Sequence, residues 1–187
     1  MDIIMILTWI LIGIVAVIVL MFIYYYNRFV VLDNRIDNSL AQIDVQLKKR
    51  VDLVPNLIET VKGYAKHEKS IMSDVNNARK ALVGAGNIVD RVKAGAKLQN
   101  ALMGLFAIAE NYPQLKANEN FLQLQQELAA IEDKVAYSRQ FYNDSILVFN
   151  NSVEVFPGVI FAKMFGKNEK EMIKIAAEER AVPKVSF

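Results

Sequence analysis

The chain has 187 residues, with 22 Lys and Arg against 20 Asp and Glu, which leaves a net charge of +2. A charge this close to zero argues against nucleic acid as a partner. The absence of Cys excludes disulfides and cysteine metal sites, and a single His excludes any site built from two imidazoles. We therefore expect no cofactor and no metal.

The first element is an uncharged run over residues 3–23, in which 19 of 21 side chains are apolar. A helix of that length rises about 31 Å, which matches the hydrocarbon thickness of a bilayer. No Lys or Arg precedes the run and no small-residue cleavage site follows it, so a membrane anchor over residues 1–26 is favoured over a signal peptide. The residues expected at the membrane interface are Tyr24, Tyr25, Tyr26 and Arg28.

Basic residues follow the apolar run but do not precede it. Arg28 and Arg35 come soon after the run, whereas Asp33 and Asp37 count for little in the positive-inside rule. The rule predicts an N-terminus outside the cell and a cytoplasmic body. The membrane contact itself is expected through residues 3–23.

Beyond the anchor, apolar residues recur every three or four positions, and no stretch alternates as a strand would. The spacing predicts four helices, over residues 32–51, 57–82, 88–109 and 121–149. Pro55 is expected to end or kink the first, Gly84–Asn87 to end the second and Pro113 the third. The fourth has the firmest spacing, typical of coiled-coil packing, and Pro157 follows it.

These elements predict an all-α fold, in which an N-terminal transmembrane helix leads into an antiparallel up-and-down four-helix bundle with long helices over residues 27–155. The C-terminal tail over 156–187 is expected to hold a short apolar helix, a charged helix over 167–180 and an extended end. Two alternatives stay open. The membrane helix either continues into the first bundle helix or hinges at Tyr26–Asn27. The apolar patch over 159–165 either packs on the bundle or touches the membrane or a partner.

Several segments carry a more specific pattern: Ile43–Leu57, Val61–Glu68, Glu110–Asn118 and scattered positions up to Pro157. Its main residues are Asp44, Arg50, Pro55, Asn56, Gly63, Tyr64, His67, Glu68, Glu110, Tyr112, Pro113, Lys116, Arg139, Tyr142, Asn143, Asn150 and Pro157. This pattern resembles the LemA family of bacterial proteins. The resemblance implies a single membrane helix, a helical-bundle body, a place in the inner membrane and a membrane protease as one candidate partner. It brings no catalytic residue with it.

Motifs with known chemistry are weak. A di-iron helical bundle needs two Glu-x-x-His motifs, and this chain has only His67. The glycines at Gly84–Asn87 follow a helix rather than a strand, so a dinucleotide site is not expected. Lys48, Lys49 and Arg50 form the only basic triplet, which is interpreted as a solvated helix face.

The pattern residues near the apolar stripes are therefore expected to pair across helices and fix their register. We predict a non-enzymatic, membrane-anchored scaffold or adaptor for a protein partner. One alternative is a membrane-shaping protein that acts by self-association as a homo-oligomer. Another is an enzyme of unrecognised type, which would need a pocket lined by several inward carboxylates or arginines.

Overall fold

The computed structural model describes residues 3–173, which form six α-helices and no strand. The helices are α1 (Ile3–Tyr64), α2 (Lys69–Val83), α3 (Ile88–Ala109), α4 (Pro113–Lys116), α5 (Glu119–Glu154) and α6 (Gly158–Met164). The predicted all-α class is confirmed. The chain divides into two compact units: unit 1 comprises residues 1–39 and 141–187, and unit 2 comprises residues 40–140. The domain boundaries near residues 26 and 155 stay predictions.

Helix α1 continues through Pro55 to Tyr64, so Pro55 does not end the helix, and no hinge occurs at Tyr26–Asn27. Proline has no N–H, and its ring frees the carbonyl four residues earlier, which here belongs to Val51. Arg79 of α2 donates its Nε–H to that carbonyl at 3.0 Å. The guanidinium replaces the missing backbone donor, which explains why the helix tolerates the proline.

The first helical segment ends later than predicted, in a turn at 65–68 where the spacing indicated continuous helix. Two side chains from the α3–α5 connection support this turn. The Tyr112 hydroxyl donates to the Glu68 carboxylate at 3.1 Å, and Asn118 Nδ2 donates to the Tyr64 hydroxyl at 3.0 Å. His67 therefore lies in an exposed turn and not on a long helix.

The other predicted breaks in unit 2 are confirmed at Gly84–Asn87 and before Pro113. Asn87 caps α3, because its side chain accepts a hydrogen bond from the backbone N–H of Asp90. Gly104 of α3 lies against Ile71 of α2, and these two helices join through a short loop. Such contacts between successive helices are compatible with the predicted antiparallel bundle.

Helix α5 buries the stripe predicted for it. Eight of its nine predicted stripe positions are buried: Phe121, Leu128, Ile131, Val135, Ser138, Tyr142, Ser145 and Phe149. Ser145 satisfies its own hydroxyl locally by donating to the Phe141 carbonyl at 2.7 Å. A stripe with small polar members therefore still packs as core.

In unit 1, α1 and α5 run antiparallel. Arg28 Nε donates to Ser152 Oγ at 3.1 Å, and the rings of Phe29 and Phe149 are 6.1 Å apart. Beyond α5 the chain turns by 93° into α6. The turn needs glycine at Gly158, since a methyl group there would overlap the Ser152 carbonyl oxygen.

Helix α6 ends in a Schellman motif. Gly166 adopts a φ of 64°, and its N–H donates to the Lys163 carbonyl while the next N–H, of Lys167, donates to the Ala162 carbonyl. Residues 167–173 are not helical, so the charged helix predicted from Lys167 is wrong over this stretch. The rest of that prediction, over 174–187, lies outside the described residues.

The Arg79 contact gives a first prediction. Arg79→Met keeps the apolar stem but removes the donor, and it should cost about 1 kcal/mol and lower the Tm of the detergent-solubilised chain by about 2–4 °C. In a Pro55→Ala background the residue at position 55 regains an N–H for Val51, so the same change should cost less than half as much.

Lys80→Met, at the exposed neighbouring position, is the matched control and should be neutral in both backgrounds. An equal loss of stability on Arg79→Met with Pro55 and in the Pro55→Ala background would show that Arg79 does not compensate for the proline.

Candidate interaction site

The residues expected at the membrane interface lie on α1, next to its apolar segment. Among the described residues, α1 is the one helix that alone is long and apolar enough to cross a membrane, and its apolar window is wholly exposed. Tyr25 stacks on Phe161 of α6 with ring centroids 4.9 Å apart. Arg28 Nη1 donates to the Tyr24 hydroxyl at 2.9 Å, while Tyr26 is exposed.

Two asparagines of α5 hold the chain that follows α6. Asn150 Nδ2 donates to the Lys170 carbonyl at 3.0 Å, and its Oδ1 accepts from the Lys170 N–H at 2.9 Å. Asn143 does the same for Ile173, with both hydrogen bonds at 2.9 Å. Each side-chain amide thus pairs with both backbone groups of one residue. We call this arrangement the tail clasp.

The spacing of the tail clasp follows from helix and strand geometry. Asn143 and Asn150 are two helical turns apart on one face of α5, a rise of about 10.5 Å. Three extended residues, from Lys170 to Ile173, span about 10 Å. The matching lengths require an extended segment at 170–173, which explains why the predicted helix is absent there. Ile173 is buried at the end of the clasp.

Charge reinforces the clasp. Asp33 of α1 accepts hydrogen bonds from Lys167 Nζ at 2.7 Å and from Lys170 Nζ at 2.6 Å. Burial raises the pKa of the Asp33 carboxyl, but the two ammonium groups outweigh this effect, and the pKa lies below its usual range. Lys170 also lies over the Phe149 ring, 4.8 Å from its centroid.

Arg50 of α1 is the largest fully buried side chain of the described residues. It donates to the Glu132 carboxylate of α5 and makes a long contact of 3.4 Å with the Gly95 carbonyl of α3. Burial lowers the pKa of Arg50, which Glu132 partly restores, and a guanidinium keeps its charge in either case. The interpretation of Arg50 as part of a solvated face is therefore wrong, although Lys48 and Lys49 are exposed.

The other polar pattern residues pair locally or across helices. Asp44 accepts from Arg91 Nη1 at 2.5 Å, and Glu110 pairs with Lys116. Tyr142 is buried, and burial together with the Asp37 charge raises its pKa.

The remaining pattern residues form no common site. Pro55, Asn56 and Gly63 lie exposed on α1, Pro113 begins α4, Pro157 precedes α6 and Arg139 is half-buried on α5. The structure thus separates the pattern residues between the two units. Within residues 3–173, no three or more Asp, Glu or His side chains are grouped to hold a metal ion.

A concave surface of unit 2 lies between α1 and α2. Two cavities of about 440 and 420 Å³ share Arg79 as a wall. Their lining combines apolar residues with charges of both signs: Asp44, Leu47, Lys48, Val51, Asp52, Pro55, Ile58, Glu59, Lys62, Lys69, Met72, Ser73, Asn76, Arg79, Leu82, Val83, Ala85 and Arg91. We call this surface the α1–α2 groove.

Sequence reasoning missed several of the residues that make these contacts: Asp33, Arg79, Glu132, Lys167 and Lys170. One signal was available for Arg50. The buried positions Ile43, Leu47, Arg50 and Val54 follow each other by four, three and four residues, which places Arg50 on the core stripe.

The chain is similar to a known protein family and to several curated proteins. The family model described as LemA family matches residues 39–187. Magnetosome protein MamQ of Magnetospirillum gryphiswaldense is 25% identical over 75% of this chain and 61% of its own length. Magnetosome protein MamQ 2 of Paramagnetospirillum magneticum is 23% identical over 78% of this chain and 63% of its own length. Protein LemA of Metamycoplasma hominis is 27% identical over 66% of this chain and 57% of its own length. The chain thus spans about three fifths of the length of these curated relatives.

The tail clasp predicts specific amide protection. Asn150→Ala should speed hydrogen exchange of the Lys170 amide roughly five- to tenfold, since it removes a hydrogen bond worth about 1 kcal/mol. Asn143→Ala should do the same for Ile173. Hydrogen exchange with fragmentation mass spectrometry on the full chain measures both. Asn151→Ala, at an exposed position on the same helix, is the control. Unchanged exchange in both clasp variants would refute the clasp.

The Asp33 carboxylate predicts a pH dependence. The pKa of Asp33 is depressed only while the two lysines are docked against it. Docking of the segment is therefore strongest above the usual Asp pKa of about 3.9, where the carboxylate is charged. It is lost as the pH falls through the depressed pKa and the carboxylate becomes protonated. A spin label at Glu171→Cys should be restrained at neutral pH and gain mobility in acid.

Asp33→Asn should abolish that transition, whereas Asp144→Asn, at an exposed acidic residue of unit 1, should retain it. The same acid midpoint in Asp33→Asn and in the unmodified chain would show that another group controls docking.

Proposed function

The chain belongs to the LemA family, and on that premise we propose that it is a membrane-anchored scaffold that presents the α1–α2 groove to a protein partner. The family match and the apolar α1 segment make it a membrane-associated protein. The proposal adds that it acts by binding and carries out no chemistry of its own. The MamQ relatives, named as magnetosome proteins, support a role at a membrane.

The α1–α2 groove is the observation that carries this proposal. Apolar side chains such as Leu47, Val51 and Met72 line it, and charged residues of both signs surround them. Lys48 pairs with Asp52 at 2.5 Å and Lys62 with Glu59 at 2.6 Å, so much of the surrounding charge is already neutralised. Such a surface favours a protein segment with apolar anchors over a polyanion such as nucleic acid.

The pairing of carboxylates supports binding rather than catalysis. Asp44 pairs with Arg91 in the groove, Glu132 with Arg50 in the core and Asp33 with two lysines in unit 1. An acid or base catalyst needs a carboxylate that is free to exchange a proton with a substrate. Carboxylates committed to Arg and Lys partners are better suited to fixing helix positions.

We place the N-terminus outside the cell and the helical units in the cytoplasm of a bacterium. Arg28 and Arg35, which follow the apolar segment, support this orientation through the positive-inside rule. A membrane protease is one partner that would share this side of the inner membrane.

The test is site-specific photocrosslinking in intact bacterial membranes. A photoreactive residue replaces Ser73, an exposed position that lines the groove, and we expect an adduct with one defined heterologous protein. Val83→Asp, at another exposed groove position, should abolish the adduct by placing a charge against the partner's apolar anchor.

A photoreactive residue at Tyr137 of α5 is the matched control, since Tyr137 is exposed and lies outside the groove. Adducts that survive Val83→Asp, or that form equally at Tyr137, would contradict a groove-specific partner. An adduct with a second copy of the chain would favour self-association and membrane organisation instead.

A further inference from the structure

Helix α6 lies across α1 where the apolar segment ends. Phe161 of α6 stacks on Tyr25, and Phe165, just after the helix, meets Phe22 with ring centroids 5.0 Å apart. Phe165 also lies within 5.6 Å of the Tyr26 ring. These contacts lie where the apolar segment of α1 ends and the tyrosines begin. The buried side of α6 therefore packs on the expected interfacial belt.

The other side of α6 and the turn before it is apolar and exposed. Phe156 is 75% exposed, Ile160 49% and Met164 63%. Ile160 and Met164 are four residues apart and therefore share one side of α6, while Phe156 lies in the turn that precedes the helix. We call these three side chains the exposed line. Val155 beside them is 60% exposed, and Lys163 adds a positive charge. Scattered exposed apolar residues are common on proteins, but a continuous line of them is a typical binding surface.

The depth of α6 relative to the bilayer follows from α1. Tyr25 comes two residues after Ile23, about 3 Å farther along the helix axis. The headgroup region extends about 5–7 Å beyond the hydrocarbon on each side of a bilayer. Helix α6, packed against Tyr25, is therefore at headgroup depth.

The direction of α6 suits that depth. In unit 1, α5 runs antiparallel to α1, and α6 turns away from α5 by 93°. With α1 crossing the bilayer, α6 lies close to the membrane plane. An amphipathic helix in this position buries its apolar side about 5–10 Å into the interface and keeps its basic residues near the lipid phosphates.

We propose that α6 is a second membrane contact of this protein, an interfacial helix that inserts Phe156, Ile160 and Met164 into the lipid beside the α1 span. The occupant of the exposed line is thus the bilayer, because α6 packs on α1 at the point where the apolar segment ends. The proposal rests on the membrane span and requires no protein partner.

The experiment uses the purified full chain in vesicles of phosphatidylethanolamine and phosphatidylglycerol. The chain has no Cys, so single labels are introduced as Ile160→Cys and Met164→Cys, each carrying an environment-sensitive fluorophore. Lipids with a nitroxide near the headgroup should quench both labels about threefold or more relative to a label at Tyr137→Cys. Aqueous iodide should quench the Tyr137 label more strongly than the other two. A label at Ile18→Cys in the span is the positive control.

Equal iodide quenching at Ile160, Met164 and Tyr137 would overturn the proposal. Shielding from both quenchers that grows with protein density would also overturn it, in favour of a second copy covering α6. A further variant combines a label at Phe156→Cys with Ile160→Glu and Met164→Glu, both at exposed positions. Its label should lose the lipid quenching while Lys170 amide protection shows that the tail clasp remains. Retained lipid quenching in this variant would likewise refute insertion.

Discussion

The continuity of α1 past Pro55 is supported by one hydrogen bond that the backbone itself cannot make. Pro55 leaves the Val51 carbonyl without its helical donor, and Arg79 supplies one from α2. A helix that ended at Pro55 would take Leu57 and Val61, both buried, off the α1 stripe and out of the core of unit 2. The first two helices therefore specify each other, because the proline makes α1 require a donor and α2 carries it.

Polar pairs also fix the register where apolar packing would tolerate sliding. Arg50 is wholly buried, and an apolar side chain of similar volume could fill its place at comparable stability. The Arg50 guanidinium, however, must contact the Glu132 carboxylate, so α1 and α5 are held in one alignment within unit 2. Asn143 and Asn150 do the same for the segment after α6, since a shift of one residue along that segment would break all four clasp hydrogen bonds. Apolar stripes thus bring the elements together, and these polar groups select the alignment.

The features that sequence predicted are those that depend on near neighbours along the chain. The α5 stripe from Phe121 to Phe149 needs only regular spacing, and the loop at Gly84–Asn87 needs only local turn chemistry. The tail clasp could not be predicted, because the partners of its asparagines are backbone groups that nearly every residue carries. For the same reason the sequence predicts a helix for the charged segment from Lys167, where the structure has none over 167–173. The continuation of α1 past Pro55 could not be predicted, because the hydrogen-bond donor for the Val51 carbonyl comes from Arg79 on another helix. No local sequence pattern connects Pro55 with Arg79. The apolar patch over 159–165 is recognisable from composition, but only the structure shows which of its side chains pack on α1 and which stay exposed.

The tail clasp and the packing of α6 lower the loss of conformational entropy that membrane insertion of α6 would otherwise require. A free segment of seven residues would rarely be helical in water, and ordering it at a membrane would offset much of the gain from burying its side chains. In unit 1 the segment is held at both ends, by the turn at Gly158 and by the Schellman motif that leads into the clasp. Its inner side already packs on Tyr25 through Phe161. The exposed line from Phe156 to Met164 is therefore preorganised, so contact with lipid requires desolvation of that line but no folding step. Two contacts with the bilayer, one through α1 and one through α6, would also fix the rotation of unit 1 about the α1 axis, which a single span leaves free.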